Sequence, residues 1–268
     1  MSRLSRSGFL SPVGPAQTNE AIILRTRSYG ESDKIVTFLT DDAGKLTGIA
    51  KGAKNSRRRF ANCLDPFTRV RVHFRTREGA SMVFLESCDL LRPAGPLTDP
   101  TKFAYGSYLV ELVDQLTSEA HPVRELYNLL AEGLDELQHG KATAAFLRIF
   151  ELRLLHHAGY GPQLQRCMRC DRPVLAAERA FFDPADGSIV CAACRLPGQS
   201  AIPVTGKTLV ALAAATSAAL ADAHAHPFTA ATAAEAAQLM GRLLALYLPR
   251  PLRSVKLIAA LSSPGPLP

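Results

Sequence analysis

Apolar and polar positions repeat with two different periods along this chain, and the change falls near residue 100. Between Ala21 and Glu86 apolar and β-branched residues gather in short runs separated by turn residues. Ala21-Ile22-Ile23-Leu24-Arg25-Thr26-Arg27 and Lys34-Ile35-Val36-Thr37-Phe38-Leu39-Thr40 read as strands. Asp41-Asp42-Ala43-Gly44 then turns the chain into Lys45-Leu46-Thr47-Gly48-Ile49-Ala50, a hairpin signal. In Arg69-Val70-Arg71-Val72-His73-Phe74-Arg75-Thr76-Arg77 the odd positions are Arg, Arg, His, Arg, Arg and the even ones Val, Val, Phe, Thr. A period of two predicts a strand with one apolar and one cationic face. Glu78-Gly79-Ala80 leads into a last run, Ser81–Glu86. About five strands in about 70 residues is the scale of a small β-barrel such as the OB-fold.

Pro93-Ala94-Gly95-Pro96-Leu97-Thr98-Asp99-Pro100 ends the β region as a linker. From Lys102 the spacing turns helical: Tyr105, Tyr108, Leu109, Leu112, Val113 and Leu116 share a face. Further helices are predicted over about 122–138 and 142–157, stopped by Gly159-Tyr160-Gly161-Pro162. Helical pattern resumes near Thr205 in an Ala-rich stretch to about Ala223 and again from about Thr229 to Leu248, where Thr232 and Glu235 have capping-box spacing. A short segment over 252–261 follows.

Charge changes the picture. Between Lys45 and Arg77 stand ten Lys/Arg and a single acid, Asp65. Residues 1–95 hold 16 Lys/Arg against 9 Asp/Glu, while the remainder is balanced at 15 of each, so the net charge of +7 belongs to the first third. One-signed charge on a sheet face and on the adjoining loop Lys51–Phe60 suits a polyanion, with nucleic acid ahead of an anionic membrane or an inert solvated surface. The cations that would contact it are Lys51, Lys54, Arg57, Arg58, Arg59, Arg69, Arg71, Arg75 and Arg77. Phe60, Phe67 and Phe74 lie among them and could stack bases, although alternation puts Phe74 on the apolar face. No apolar run reaches membrane-spanning length. The first 18 residues carry Arg3 and Arg6 without an apolar h-region, which argues against a secretory signal.

The chain has six Cys, and four fall into two knuckles, Cys167-Met168-Arg169-Cys170 and Cys191-Ala192-Ala193-Cys194. Zinc takes four tetrahedral thiolates, and two such turns supply two each. Ala180-Phe181-Phe182 and Ser188-Ile189-Val190 flank Asp183-Pro184-Ala185-Asp186-Gly187, a small hairpin typical of a zinc ribbon. Two disulfides or a redox pair are the competing readings. Four thiolates leave no open position, so such a zinc is structural. Cys63 and Cys88 read as small apolar residues.

The remaining chemistry is thin. Pro203-Val204-Thr205-Gly206-Lys207-Thr208 lacks the first glycine of a P-loop and the preceding buried strand. His156 and His157 point apart on a helix end. Glu111, Asp114, Asp135, Glu136 and Glu151 are scattered over helix faces, and no nucleophile stands beside a base. A nuclease or transferase using the zinc is therefore disfavoured, and the chain is expected not to be an enzyme. A zinc-containing RNA-binding module is the alternative to a DNA-binding one, since nothing here reads a 2′-hydroxyl.

The fold class expected is α+β: an N-terminal OB-fold β-barrel and a C-terminal all-helical domain with an inserted zinc-ribbon-like module of four cysteines. The boundaries are a disordered leader over 1–19, the barrel over 20–92, a linker over 93–100, the helical domain over 101–162 and 201–262, the zinc module over 163–200 and a tail over 263–268.

Five stretches then carry a resemblance. Ala21-Ile22-Ile23-Leu24-Arg25-Thr26-Arg27-Ser28-Tyr29-Gly30-Glu31-Ser32-Asp33-Lys34-Ile35-Val36 resembles the opening of the bacterial DNA repair and recombination mediator family RecO. Ala50-Lys51-Gly52-Ala53-Lys54, followed by Arg59-Phe60 and Leu64-Asp65-Pro66-Phe67, is similar to its next stretch. Phe150-Glu151-Leu152-Arg153-Leu154-Leu155 before Gly159-Tyr160 resembles its middle signature. Cys167–Cys170 stands at its zinc motif, and Pro251-Leu252-Arg253-Ser254 resembles its C-terminal end. Residues 20–260 are covered, and the leader is not. Two positions depart: Asp171 replaces a Gly after the second Cys, and Val255 replaces a base after Ser254. The resemblance implies an OB-fold, a helical domain and a zinc ribbon. It also implies binding of single- and double-stranded DNA, strand annealing, and work with RecR, RecF and single-stranded-DNA-binding protein to load RecA, in the bacterial cytoplasm or nucleoid.

Overall fold

The computed structural model describes residues 14–76, 79, 81–93, 99–121, 123–198, 201–226 and 228–262. Most of the expected leader and linker, the expected tail and Arg77 lie outside the described residues. Contacts divide the chain into two units, Met1–Ala94 with Glu119–Pro122 and Gly95–Ser118 with Val123–Pro268.

The first unit is the barrel. Its strands are β1 (Ala16–Tyr29), β2 (Asp33–Thr40), β3 (Lys45–Ala50), β4 (Arg69–Arg75) and β5 (Val83–Arg92). They close in the order β1-β2-β3-β5-β4, an OB-like barrel. Closure rests on the 14 residues of β1. Residues 16–22 pair with β4 and residues 21–29 with β2, with a register slip between Ile23 and Arg25. Ile23, Val36, Phe38, Val72, Phe74 and Leu85 fill the interior, and the rings of Phe38 and Phe74 meet edge to face at 6.2 Å. Residues 16–19, assigned to a disordered leader on sequence, are therefore strand. Gln17, Thr18 and Asn19 have no apolar pattern of their own, and pairing with Phe74, His73 and Val72 orders them.

β5 pairs with β3 only through Gly48, Ile49 and Ala50. The edge left at Lys45–Thr47 is taken by residues 119–120. The Ala120 amide donates to the Lys45 carbonyl at 3.0 Å, and the Thr47 hydroxyl donates to Glu119 at 3.2 Å. Residues 119–121 thus group with the barrel rather than with the helical domain expected from sequence, because an unfilled strand edge binds backbone. Gly44 has φ of 74°, and a Cβ there would overlap the His121 carbonyl oxygen, so the turn admits only glycine.

The second unit holds α1 (Pro100–Leu116), α2 (Arg124–His139), α3 (Ala144–His157), α4 (Gly206–Thr216), α5 (Ala230–Tyr247) and α6 (Ser254–Ser262). Asp99 and Pro100, read as linker, are the N-cap and first residue of α1; the Asp99 carboxylate accepts from the amides of Thr101 and Lys102 at 2.8 and 3.3 Å. The Ala-rich helix stops at Thr216, and a 3-10 turn over Leu220–Ala225 follows. At α5 the capping box pairs Thr229 with Thr232. Glu235, expected to serve it, accepts instead from the Thr205 amide and hydroxyl at 3.0 and 2.6 Å and from the Thr208 hydroxyl, closing the start of α4. Glu111 of α1 does the same for α6, accepting from the amides of Arg253 and Ser254, both at 2.9 Å, and from the Ser254 hydroxyl at 2.6 Å.

The four-stranded sheet of β6 (Gln163–Cys167), β7 (Arg179–Asp183), β8 (Ser188–Cys191) and β9 (Ile202–Thr205) has the order β6-β8-β7-β9. The expected hairpin is β7–β8, with Phe181 opposite Val190. The module continues past residue 200: β9 pairs along β7 from Phe182–Ile202 to Arg179–Thr205. Its Ile202-Pro203-Val204 pattern is too short to separate from the helix that follows.

α3 packs against α2, α4 and α5 and carries a buried charge pair. Arg148 donates to Glu151 Oε1 at 2.5 Å, and the Tyr108 hydroxyl donates to the same oxygen at 2.5 Å. Burial pushes the Glu151 carboxyl up, against the pull of Arg148 and Tyr108. Glu151→Ala leaves the Arg148 charge uncompensated and is expected to cost about 3–5 kcal/mol, with a smaller loss for Glu151→Gln; urea unfolding of the full chain measures both.

Candidate nucleic-acid interface and metal centre

The cationic strand alternates as its sequence demands. Val70, Val72 and Phe74 are buried, and Arg69, Arg71, His73 and Arg75 turn outward. The outward face is not a bare stripe of positive charge. β1 and β5, its neighbours, bring carboxylates to it. Arg71 lies 3.7 Å from Glu20, His73 2.8 Å from Asp89, and Arg75 2.7 Å from Glu86. Each pair is partly exposed and worth about 0–1 kcal/mol, so a phosphate can displace the carboxylate at little cost.

The loop after β3 is different. Gly52 has φ of 67° and opens a 3-10 turn over Ala53–Asn55. Asp33 fixes it: its Oδ1 accepts from the Gly52 amide at 2.8 Å and from the Ser32 hydroxyl at 2.9 Å. The Lys54 amide donates to Ser32 O at 2.9 Å and Lys54 Nζ to Gly30 O at 2.8 Å. The β1–β2 turn and the loop are thereby latched together. The Gly52 amide, and after it the Ser32 hydroxyl, hold the Asp33 carboxyl below its ordinary 3.8. The latch therefore persists as pH falls to that value and is lost as pH falls through the lower one.

The loop's cations divide by role. Arg59 is a brace: its guanidinium donates to Lys51 O at 2.8 Å and lies 5.2 Å from the Phe60 ring centroid. Phe60 is buried, Phe67 is half-buried, and Phe74 is fully buried, so neither Phe60 nor Phe74 offers a ring face for stacking. Arg57 and Arg58 are exposed, with no ion pair or hydrogen bond from their side chains among the described residues. Lys34, Lys54 and Arg57 border a cleft of about 400 Å³ that also reaches Ser56, Asn62 and Asp65. Arg27 on β1 is exposed as well. Arg27, Asp33 and Lys34 were absent from the cations and braces expected on sequence; the Arg25-Thr26-Arg27 alternation was the signal for the first.

In the second unit β6 ends at Cys167 and β8 at Cys191, and each strand runs on into a knuckle closed by Cys170 or Cys194. All four Sγ atoms lie within 4.8 Å of one another, and those of Cys170 and Cys191 are 3.9 Å apart. Thiolates about 2.3 Å from one tetrahedral ion stand about 3.8 Å apart, so the set fits a single metal. Burial raises the Cys167 thiol, but the amides of Cys191, Cys170 and Arg169 outweigh it and bring it down to about 6. Asp171, where the resemblance has Gly, takes φ of 55°. Its carboxylate receives both Nε and Nη2 of Arg166, at 2.8 and 2.9 Å, so an Asx residue fills a left-handed position with its side chain anchored.

A small closed barrel with a latched cationic loop is thus joined in one chain to a helical unit bearing a cluster of four cysteines, a two-part α+β architecture. Residues 16–94 match the sequence profile described as Recombination protein O N terminal, and residues 97–256 match Recombination protein O C terminal. Relatives include the DNA repair protein RecO of Anaeromyxobacter sp. (strain K), 36% identical over 92% of this chain and 96% of the relative. Those of Syntrophus aciditrophicus (strain SB), 34% identical over 92% and 96%, and Myxococcus xanthus (strain DK1622), 36% over 90% and 96%, are similar too. The chain belongs to the Recombination protein O family, RecO. No helix among the described residues is long and apolar enough to cross a membrane.

Cobalt(II) added to metal-free protein under reducing conditions is expected to saturate at one ion per chain with the visible absorption of tetrahedral thiolate coordination. Cys170→Ser should weaken that binding, and a spectrum unchanged by it would remove Cys170 from the ligand set.

Proposed function

We propose that this chain is a non-catalytic DNA repair protein. It binds single- and double-stranded DNA without regard to sequence along the backbone, anneals complementary strands, and acts as a mediator that loads the recombinase onto coated single strands. The observation that carries the reading is Arg57 and Arg58, exposed and unpaired among the described residues on a loop that Asp33 latches to the barrel. Family membership and the relatives' name, DNA repair protein RecO, support it.

The loop cations Lys51, Lys54, Arg57 and Arg58 take the first phosphates, with Arg59 holding the loop in shape. Arg69, Arg71, Arg75 and Arg77 extend the track, Arg71 and Arg75 by exchanging carboxylate for phosphate. Phosphate contacts position a strand without reading it. Screening two strands on one cationic surface lowers their mutual repulsion, which is what annealing requires. Cys167, Cys170, Cys191 and Cys194 hold one structural Zn²⁺: four soft thiolates at tetrahedral spacing suit that ion and leave no open position for catalysis. The helical unit serves as the docking surface for RecR and single-stranded-DNA-binding protein. The protein works in the bacterial cytoplasm at the nucleoid.

Affinity for single-stranded DNA should fall with salt at a log–log slope of about −0.7 per phosphate engaged, and Arg57→Ala with Arg58→Ala should reduce the slope's magnitude by about 1.4. A wild-type slope near zero rejects the reading, and tighter binding of matched RNA would redirect it to RNA. Glu86→Gln with Asp89→Asn, which removes the negative charges beside Arg75 and His73, should tighten DNA binding roughly threefold to tenfold at low salt, measured by fluorescence anisotropy.

A further inference from the structure

The cleft beside the loop has a composition that a phosphate track does not need. Lys34, Lys54 and Arg57 share it with the carboxylate of Asp65 and the amide of Asn62. A carboxylate opposes a phosphate in the same cleft, because like charges a few ångströms apart repel even where solvent screens them. Neither the Asp65 carboxylate nor the Asn62 amide has a hydrogen bond or ion pair among the described residues. Their acceptors and donors are free for a ligand, and they sit on a loop whose shape is fixed. The backbone of Asn62 turns through φ of 54° and that of Phe67 through 72°. Thr26 donates its hydroxyl to the Leu64 carbonyl at 2.6 Å, and the Phe67 amide donates to Ile23 O at 2.9 Å. Asn tolerates the left-handed region, but Phe does so only under constraint, and such positions gather at binding sites.

The chemistry of Asp65 and Asn62 is that of base edges. A carboxylate accepts from the exocyclic amino group of cytosine, and an Asn amide pairs with adenine's donor and acceptor. Thymine offers an acceptor, O4, at the corresponding position and would face the carboxylate unfavourably. At about 400 Å³ the cleft lies at the small end of ligand-sized cavities, about 300–1,000 Å³, a scale for one monomer rather than a duplex. Phe60 lies beneath it, 4% exposed, so a base would be held by its edge and not by stacking on that ring.

We infer that the cleft takes one unstacked base of a bound single strand, its phosphates on Lys54 and Arg57 and its amino-bearing edge on Asp65 and Asn62. The strand is held mainly by its backbone, and the cleft adds a modest preference against thymine. Holding one base out of the stack also presents its neighbours to an incoming complementary strand. This inference rests on the nucleic-acid reading given above and refines it.

The test is anisotropy titration of the full chain with oligo(dC) and oligo(dT) of equal length, at fixed salt and mildly alkaline pH. These weakly stacking homopolymers differ in whether the base edge carries a donor or an acceptor. Wild type is expected to bind oligo(dC) about fivefold tighter, the value of roughly one hydrogen bond. Asp65→Asn, whose amide can turn to donate to O4 of thymine, and Asn62→Gly, which keeps the left-handed backbone, should each shrink the ratio toward one, while the salt slope stays as in wild type. Equal wild-type affinities, or a preference that survives Asp65→Asn, overturn the base-cleft inference and leave backbone binding standing. A preference set by a 5′-phosphate rather than by the base also overturns it, making the cleft a strand-end site. Absence of binding to either oligomer sinks the nucleic-acid reading itself.

Discussion

Closure of the barrel through β1 is the constraint on which the rest of the first unit depends. One continuous strand serves β4 with residues 16–22 and β2 with residues 21–29, and its slip between Ile23 and Arg25 lets a curved sheet close. Because β1 runs out to Tyr29, the turn Gly30–Ser32 reaches the loop after β3 and can accept the backbone and the ammonium of Lys54. Asp33, the first residue of β2, then meets Gly52. Two stretches far apart in sequence, each part of the resemblance to RecO, therefore touch through one carboxylate and one amide. The loop's cations hold their places because the barrel is closed, not because the loop is rigid alone.

The same closure decides where the charge is available. An outward position on β4 has neighbours on both sides, and here β1 and β5 fill those places with Glu20, Glu86 and Asp89. The loop has no flanking strand, so nothing comparable is delivered to Arg57 and Arg58. A surface with both kinds of cation has two regimes of attraction. An anion would meet the loop cations without competition, and the strand cations only after displacing their carboxylates. Partly exposed pairs exchange readily, so the strand cations are held less firmly to their carboxylates than a buried pair would be.

Local signals were legible in the sequence and distant partners were not. The alternation of Arg69–Arg75, the two CxxC knuckles, the β7–β8 hairpin and the helix after Thr205 are set within a few residues, and periodicity or spacing reveals them. The acids were misread because their roles belong to other elements. Glu111 and Glu151 looked like scattered charges on helix faces; Glu111 caps α6, and Glu151 is buried and accepts from Tyr108 of α1 as well as from Arg148 one turn earlier on its own helix. Glu235 looked like part of its own helix's capping box and closes the start of α4 instead. Glu119 completes a strand edge of the barrel from between two helices. In each case a carboxylate satisfies backbone or side-chain donors that only the tertiary fold brings near, a non-local requirement.

The thiolate centre answers in the second unit the problem that closure answers in the first. β6 and β8 are parallel neighbours, and both run past the end of their pairing into knuckles that no further strand covers among the described residues. Cys170 is exposed and Cys194 partly so, so the hydrophobic effect contributes little at that end. A small cluster of Cys167, Val190 and Cys191, with Cys194 against it, lies at the base of the knuckles. Four metal–sulfur bonds would tie the two knuckles to each other, and metal binding would then be folding energy for this end of the sheet. Asp171 belongs to the same solution. A residue other than glycine can hold the left-handed turn after Cys170 because Arg166, on the strand that enters the knuckle, grips its carboxylate with two hydrogen bonds.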